Sequence, residues 1–223
     1  MNKKFVQLIA NKYFLFLIII FLVLSGAIFL WQIFTAKEQL RLQVSIPDNY
    51  QEKIVYAYQG QTFGITPLNA ESSEVKKKFL AAEYDYQKPY AQVDVKRLVT
   101  ENGVKEDIIL REPGHPLQFQ FQLDLGEFDY EKDLAGNITL TAKADKLADK
   151  DLQKKFYLPA PYFIDANGKK SDTSAIDLRI DEKGIITYTL DEHWLSQAQY
   201  PVVLDPSVEL VIFECPFLSA NWR

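Results

Sequence analysis

The longest apolar segment of the chain runs from Tyr13 to Phe34 and contains no charged residue. As a helix, these residues would extend roughly 33 Å at about 1.5 Å per residue, close to the thickness of a bilayer's hydrocarbon core. Such a helix would be apolar on every side, which is not typical of a helix in a water-soluble domain. We therefore predict a single-pass transmembrane helix over residues 13–36.

The charges around this segment predict its orientation. Three lysines precede it, and the first acidic residue of the chain is Glu38. Because basic residues stay on the cytoplasmic side, residues 1–12 are expected in the cytoplasm and the following domain outside. A cleaved signal peptide is the alternative, since Ser25-Gly26-Ala27 offers small residues to a signal peptidase. A signal core covers only about 7–15 residues, so the longer segment favours an uncleaved signal-anchor in the cell membrane.

Alternating apolar and polar positions dominate the rest of the chain and predict β-strands. The alternation begins at Leu40, so residues 37–50 are a predicted juxtamembrane connector that contains the first strand. The strictest alternation runs from Leu117 to Leu125, with Phe119 and Phe121 on the apolar side. We predict a mainly β protein, in which one N-terminal transmembrane helix precedes an antiparallel β-sandwich-like extracytoplasmic domain over residues 51–210.

Turn residues separate the predicted strands. Hairpins are expected at Asn102-Gly103, at Asn167-Gly168 and at Asp181–Gly184, where glycine or asparagine can supply positive φ angles. A short helix is predicted from Ser72 or Ser73 to Ala82, and an exposed loop or short helix over residues 142–155. The residues predicted to form the core are Phe119, Phe121, Tyr162, Trp194 and Val203.

Charge and cysteine content narrow the classes of partner. The formal net charge is -5, and the basic residues are dispersed among acidic ones, which argues against a nucleic-acid partner. The chain has 1 cysteine, Cys215, so an intramolecular disulfide is impossible and the domain must rely on its packed core. The expected partners are the lipid bilayer and cell-wall glycan or other envelope proteins.

A set of short motifs occurs in a fixed order along the domain. They are Gly103–Leu110, Glu112–Pro116, Leu158–Tyr162, Asp165–Gly168, Trp194-Leu195 and Tyr200–Ser207. Over roughly residues 50–210 this set resembles a β-rich module of large bacterial cell-surface proteins of the wall-associated and Rhs-like type. The resemblance implies a structural part of a surface protein and carries no catalytic residues.

The end of the chain departs from that resemblance. Such modules are usually followed by further β domains or repeats, whereas this sequence ends 16 residues after Ser207. We therefore interpret residues 211–223 as a C-terminal tail derived from truncation or a frame shift of a longer surface protein. An intact downstream reading frame that codes for β repeats would support this hypothesis.

Candidate catalytic and metal-binding residues are few. The histidines, His115 and His193, lack a recognisable nucleophile motif, and His115 lies between Gly114 and Pro116, as a turn residue would. Carboxylates alternate along Glu127, Asp129, Glu131 and Asp133. These could bind calcium or serve an envelope glycoside hydrolase, but an acidic, solvated strand edge is the favoured interpretation. We predict no enzymatic activity, no cofactor and no metal.

Two pairs of tyrosines are the remaining candidates for binding. Tyr56 and Tyr58, and likewise Tyr84 and Tyr86, share a face of a strand and could stack on sugar rings if they are exposed. Buried, they would be ordinary core, which is the favoured interpretation. The predicted function is a membrane-anchored envelope protein whose structural or adhesive β domain acts as a spacer or partner-binding module. Glycan binding and hydrolysis are the alternatives.

Overall fold

The computed structural model describes residues 24–26, 31, 42–58, 60–78, 82–143 and 154–212. The chain divides into two compact units, Met1–Arg41 and Leu42–Arg223. In the first unit, residues 24–26 and 31 are helical, and their side chains are exposed. Residues 1–12 and the rest of the predicted transmembrane helix lie outside the described residues. Within the described residues, no helix is both long enough and apolar enough to cross a membrane.

The second unit is mainly β, and its strands pair antiparallel, which confirms the predicted class. Strands are numbered in chain order. The spatial order of the first sheet is β1 (Gln43–Ser45), β2 (Ile54–Tyr58), β3 (Gln61–Leu68), β8 (Gln118–Asp124), β14 (Ile185–Leu190) and β13 (Ile176–Ile180).

The second sheet is larger. Its main spatial order is β4 (Val75–Lys78), β5 (Glu83–Tyr90), β6 (Val93–Val99), β7 (Gly103–Leu110), β16 (Val208–Ile212), β11 (Lys154–Leu158), β10 (Ile138–Ala142) and β9 (Phe128–Lys132). Beside this path, β15 (Val202–Leu204) pairs with both β7 and β12 (Phe163–Ile164). A 3-10 turn (Thr173–Ala175) precedes β13, and helix α1 (Glu192–Gln197) precedes β15.

Aromatic rings from both sheets form the centre of the hydrophobic core. Phe63 on β3 stacks on Tyr56 of β2, with ring centroids 4.6 Å apart. Phe156 on β11 of the second sheet meets Phe63 edge to face, also at 4.6 Å. The predicted alternation of β8 is confirmed, because Phe119 and Phe121 are buried. The apolar face of each sheet is therefore packed against side chains of the other.

The predicted core is confirmed for Phe119 and Phe121 but not for the other three residues, which are half-buried. Val203 lies on β15, where Val202 and Leu204 point inward, so period-two alternation turns Val203 the other way. Trp194 on α1 covers Phe163, with stacked rings whose centroids are 5.0 Å apart. Tyr162 keeps its hydroxyl at a polar site, which is described below.

The hairpin between β6 and β7 forms as predicted, but the backbone angles of its turn differ from the predicted ones. Val99 faces Val104, and the Thr100 N–H donates to the Gly103 carbonyl at 2.9 Å. Neither Asn102 nor Gly103 has a positive φ angle, so the predicted reason for the glycine is wrong. Gly103 instead lies against β16, where a Cβ would be inside contact distance of the Val208 carbonyl oxygen and 3.0 Å from the Glu209 Cα.

Replacing Gly103 by alanine is expected to destabilise the domain by about 1–3 kcal/mol, because the backbone of β16 must move away from β7. The neighbouring substitution Asn102→Ala is the control, since Asn102 is exposed and should change stability by no more than about 0.5 kcal/mol. Urea unfolding followed by circular dichroism would measure both variants. Equal stability of the two variants would contradict the close approach of β16.

Two other local predictions are corrected. The helix predicted from Ser72 or Ser73 to Ala82 is wrong, since Val75–Lys78 forms β4 and pairs with β5. Polar bonds hold the start of this segment extended: Ser73 Oγ donates to the Gln87 carbonyl at 2.8 Å. Of the predicted loop over residues 142–155, residues 144–153 lie outside the described residues, and Lys154 already begins β11. Residues 213–223 of the predicted tail are also outside, whereas residues 211 and 212 belong to β16.

Candidate functional site

Motifs from distant parts of the sequence meet where β15 pairs with both β7 and β12. Leu204 of β15 faces Ile108 of β7 and Phe163 of β12. Next to this junction, Tyr162 Oη donates to Asp205 Oδ2 at 3.0 Å, and the Asp205 N–H donates to the Tyr162 carbonyl at 3.2 Å. We call the polar cluster of Lys105, Tyr162, Lys170, Asp205 and Ser207 the motif corner, because most of its members belong to the motifs that carry the family resemblance.

Most polar groups of the motif corner bond to one another, whereas Lys105 pairs with Asp107 at 2.8 Å. Asp205 and Ser207 are buried, and the Ser207 hydroxyl donates to Asp205 Oδ1. Burial and the nearby Asp205 raise the pKa of Tyr162. Lys170 Nζ lies 3.4 Å from the centroid of the Tyr162 ring, a close cation–π contact. The bonds between Tyr162 and Asp205 tie the segment after β15 to the segment before β12, and the Ser207 hydroxyl holds the Asp205 carboxylate from the other side.

The Asp165–Gly168 motif forms the predicted second turn. Asp165 is buried, and its Oδ1 accepts from the N–H groups of Asn167 and Lys169 at 2.9 and 2.8 Å. Its Oδ2 accepts from the Gln199 N–H at 3.3 Å, and Gly168 has a φ of 78°. Burial alone would raise the pKa of Asp165, but these backbone donors outweigh it and hold the pKa below its ordinary value. The charged carboxylate is thus a structural cap.

Asp165→Asn is expected to lower stability at pH 7, because the charge-assisted bonds are lost. A carboxylate whose pKa is depressed in the folded state contributes stability above its unfolded pKa of about 3.9, and this contribution fades as the pH falls through the folded pKa. The variant should therefore lose less stability than the natural sequence when the pH is lowered from 5 to 3. Urea midpoints across this range would measure the difference, and parallel pH profiles would contradict the proposed cap.

The two histidines have partners of different kinds. His115 is buried in the turn before β8, as the sequence predicts for its position, and its Nε2 lies 2.8 Å from Tyr200 Oη. Its Nδ1 lies 2.9 Å from the Pro116 carbonyl oxygen. His193 is exposed on α1 and lies 3.0 Å from Gln197. Both ring nitrogens of His115 are thus engaged within the fold, where they link the turn to the start of β15.

The acidic stretch lies along β9, at the edge of the second sheet. Asp129 and Glu131 are exposed, and Asp133 accepts from the Asn137 side chain at 2.7 Å in the following turn. Among the described residues, no group of three or more histidine, cysteine or acidic side chains is arranged to hold a metal ion. The carboxylates occupy one strand edge and do not face each other, which supports the interpretation of a charged edge that resists strand pairing.

The paired tyrosines occupy the core, contrary to the glycan-stacking alternative. Tyr56, Tyr58 and Tyr86 are 2%, 5% and 0% exposed, so their ring faces are unavailable to a sugar. Tyr84 is half-buried. The stacking hypothesis is therefore wrong for the three buried rings, because β2 and β5 direct them between the sheets.

A buried ion pair lies between the sheets and was not predicted from the sequence. Arg97 on β6 is 1% exposed, and its Nε lies 2.5 Å from Glu106 Oε2 on β7. The guanidinium carbon lies 4.7 Å from the Tyr50 ring centroid and 5.2 Å from that of Tyr86. A signal for this pair was present, since the predicted hairpin places Arg97 opposite Glu106 and in phase with the buried Val95.

The surroundings of Arg97 keep its guanidinium charged. Burial alone would lower the pKa of Arg97, but Glu106 and the nearby tyrosines outweigh this effect and raise it. Burial also raises the pKa values of Tyr56 and Tyr188, with Glu106 as the next contribution. A cavity of about 20 Å³ adjoins the pair. This volume holds about one water molecule, so the pair is part of the core and not a pocket for a substrate.

Comparisons with known proteins give distant relatives only. No family model matches the chain, and no solved structure matches it. The chain is 25% identical over 169 residues to the tRNA nuclease WapA of Bacillus subtilis (strain 168), across 70% of this chain and 7% of the relative. It is 24% identical over 169 residues to the tRNA3(Ser)-specific nuclease WapA of Bacillus spizizenii, with the same coverage. The chain thus spans less than a tenth of the length of these relatives.

These relatives bear on two predictions. Their similarity supports the predicted resemblance to a family of large surface proteins, at a distant level of identity. The prediction that the protein is not an enzyme is wrong in their light, because each of these relatives is named as a tRNA nuclease. The sequence held no motif for that activity, and the shared segment is a small part of each nuclease.

Proposed function

We propose that this chain supplies a β-structured spacer or partner-binding module of a bacterial surface protein. Residues 13–36 hold it in the cell membrane with residues 1–12 in the cytoplasm. The observation that supports the proposal is the motif corner, where Tyr162 and Ser207 both donate hydrogen bonds to Asp205 within the fold. A module whose most characteristic residues secure its own fold is suited to positioning other parts of a surface protein.

The edges of the domain fit this role. Acidic side chains line β9, and Lys132 on the same strand donates to the Leu178 carbonyl of β13. Charged residues on an edge strand, and a lysine that occupies an edge carbonyl, both discourage pairing with strands of other molecules. At the high protein concentration of a cell envelope, the module should therefore not form intermolecular β-sheets.

Labelling with a membrane-impermeant maleimide tests the proposed location. In a Cys215→Ser background, Glu182→Cys places a thiol in the exposed turn between β13 and β14, and Gln7→Cys places one in the N-terminal segment. In intact spheroplasts, Glu182→Cys should react, and Gln7→Cys should react only after permeabilisation. Labelling of Glu182→Cys only after permeabilisation would refute an extracytoplasmic domain.

A second candidate function is contact with tRNA, which the names of the relatives suggest. Two lysines of this chain lie over aromatic rings: Lys169 Nζ is 5.8 Å from the Trp194 ring centroid, and Lys170 lies over Tyr162. Basic side chains beside aromatic rings are a typical arrangement for holding unpaired bases and their phosphates. This small surface is where we propose that tRNA would bind.

Binding of total tRNA to the purified full-length chain, measured by filter retention, tests this candidate. The double variant Lys169→Ala/Lys170→Ala should bind tRNA at least tenfold more weakly, whereas Lys143→Ala/Lys183→Ala, which removes the same charge elsewhere, should bind it normally. If the unaltered chain does not retain tRNA, the candidate is eliminated. If both double variants weaken binding equally, general charge and not this surface is responsible.

A further inference from the structure

The outer face of the first sheet carries amide and hydroxyl side chains in register. Gln118 on β8 faces Thr189 on β14, and Gln120 faces Thr187. Thr187 in turn faces Arg179 on β13. Directly opposed residues of paired strands share a face, so these five side chains stand together. We call this surface the amide–hydroxyl face.

The bonds within this face leave much capacity unused. Gln118 Nε2 donates to Thr189 Oγ1, and Gln120 Nε2 donates to Thr187 Oγ1, each at 3.3 Å. These distances lie just beyond the usual 2.7–3.2 Å of strong hydrogen bonds. The Gln120 Oε1 also accepts from Asn69 Nδ2 at 3.3 Å. Gln118 keeps a second amide hydrogen and its acceptor oxygen, and each threonine hydroxyl can still donate. Both kinds of group can therefore exchange these weak bonds for bonds to a ligand.

The face is also concave. A groove of about 500 Å³ is lined by Gln118, Thr187 and Thr189 together with Ile180, Ile185 and the β13 residues Asp177, Arg179 and Asp181. This volume falls within the range typical of small-ligand sites, about 300–1,000 Å³. Ile185 adds apolar surface among the polar groups, whereas Ile180 packs against the core and borders the groove from that side. The groove thus offers both hydrogen-bonding groups and apolar contacts.

We propose that this groove binds a neutral oligosaccharide. Sugar hydroxyls donate and accept, as glutamine and threonine do, and the C–H face of a sugar ring can lie on Ile185. The lining disfavours an anion, since Arg179 is paired with Asp177 at 2.7 Å and Asp181 adds a second carboxyl group. The inference rests on the proposed function and deepens it, by naming the chemistry through which the module contacts the cell wall.

The side chains of the groove can be replaced without disturbing the hydrophobic core. Along β8 and β14 the groove residues alternate with Phe119, Phe121, Ile186 and Tyr188, which are buried on the opposite side of the sheet. Substitution of Gln118 and Thr189, which line the groove and are hydrogen-bonded to each other, therefore leaves the packed face intact. The matched control is Thr173→Ala/Gln197→Ala, which removes one hydroxyl and one amide from exposed positions outside the groove.

Calorimetric titration of the full-length chain tests the inference. The probes are four neutral tetrasaccharides, which consist of β-linked glucose, α-linked glucose, N-acetylglucosamine and mannose. At least one should bind, Gln118→Ala/Thr189→Ala should weaken its binding about tenfold through two lost hydrogen bonds, and the control variant should bind normally. A tetragalacturonate should bind much more weakly. Absence of binding by all four neutral sugars at millimolar concentration would overturn the inference, as would equal affinity of the two double variants.

Two further measurements distinguish failure of this inference from misfolding of the variant and from failure of the proposed function. If Gln118→Ala/Thr189→Ala does not fold by circular dichroism, methyl NMR of the unaltered chain replaces it, and the sugar-induced shift should be largest for Ile185. Shifts elsewhere would overturn the assigned site. Sedimentation of the groove variant with isolated cell walls distinguishes the two proposals: if the variant still sediments while sugar titration fails, the module contacts the wall and the groove is not responsible.

Discussion

Replacing Glu106 by glutamine is expected to lower the free energy of unfolding by about 3–5 kcal/mol. Arg97 is 1% exposed and has Glu106 as its close charged partner at 2.5 Å. Glutamine keeps the size of the side chain but removes the charge, so a cation remains in the core without compensation. Urea unfolding at pH 7, monitored by circular dichroism, would measure the loss.

A double variant provides the control for this prediction. Arg97→Met/Glu106→Leu replaces both charges by apolar groups, and such exchanges of a buried pair are often neutral or stabilising. We therefore expect the double variant to be more stable than Glu106→Gln alone. If Glu106→Gln costs less than about 1 kcal/mol, the pair is exposed to solvent and does not lie between the sheets.

Phe156→Ala is expected to cost a similar amount, about 3–5 kcal/mol. The ring of Phe156 on the second sheet meets Phe63 at 4.6 Å, Phe128 at 5.6 Å and Tyr56 at 6.4 Å between ring centroids. Its removal would leave a cavity in the aromatic cluster that joins the sheets. The same unfolding measurement applies.

The control for Phe156→Ala is Leu134→Ala, which truncates an apolar side chain that is fully exposed in the turn after β9. This change should alter stability by no more than about 0.5 kcal/mol. A small effect of Phe156→Ala, comparable with that of Leu134→Ala, would show that the two sheets do not meet at this cluster.

The elements that the sequence predicts best are those set by local alternation. Strand β8 and the hairpin of β13 and β14 were predicted because each carries a strict pattern and a turn residue, and Gly184 has the expected positive φ of 76°. The helix after Ser73 was predicted from local caps and failed, because strand pairing with β5 outweighs weak local propensity.

Features that depend on contacts between residues far apart in the sequence could not be predicted from local patterns. Gly103 is required by the approach of β16, about a hundred residues further along the chain, and no local pattern indicates that contact. Arg97 resembles a surface residue until it is placed opposite Glu106 on the inner side of the hairpin. The amide–hydroxyl face likewise needed the register of three strands that are separated in the sequence.

The candidate site was only partly predictable for a related reason. The motifs that suggested a family resemblance were visible as short pieces, but their meeting at Tyr162 and Asp205 requires the pairing of β12, β15 and β7. For the tyrosine pairs, the spacing of two residues correctly predicted that each pair shares a strand face. The spacing could not show whether that face is exposed to solvent or buried in the core. Enzymatic activity in the relatives had no counterpart among the motifs.

The central claim is that this module contacts the bacterial envelope outside the membrane. Sedimentation of the purified full-length chain, kept in mild detergent, with isolated cell walls tests this claim most directly. We expect most of the chain to sediment with the walls, and unlabelled wall fragments to compete with labelled ones. A chain that stays in the supernatant, at the level of an unrelated membrane protein in the same detergent, would contradict the account.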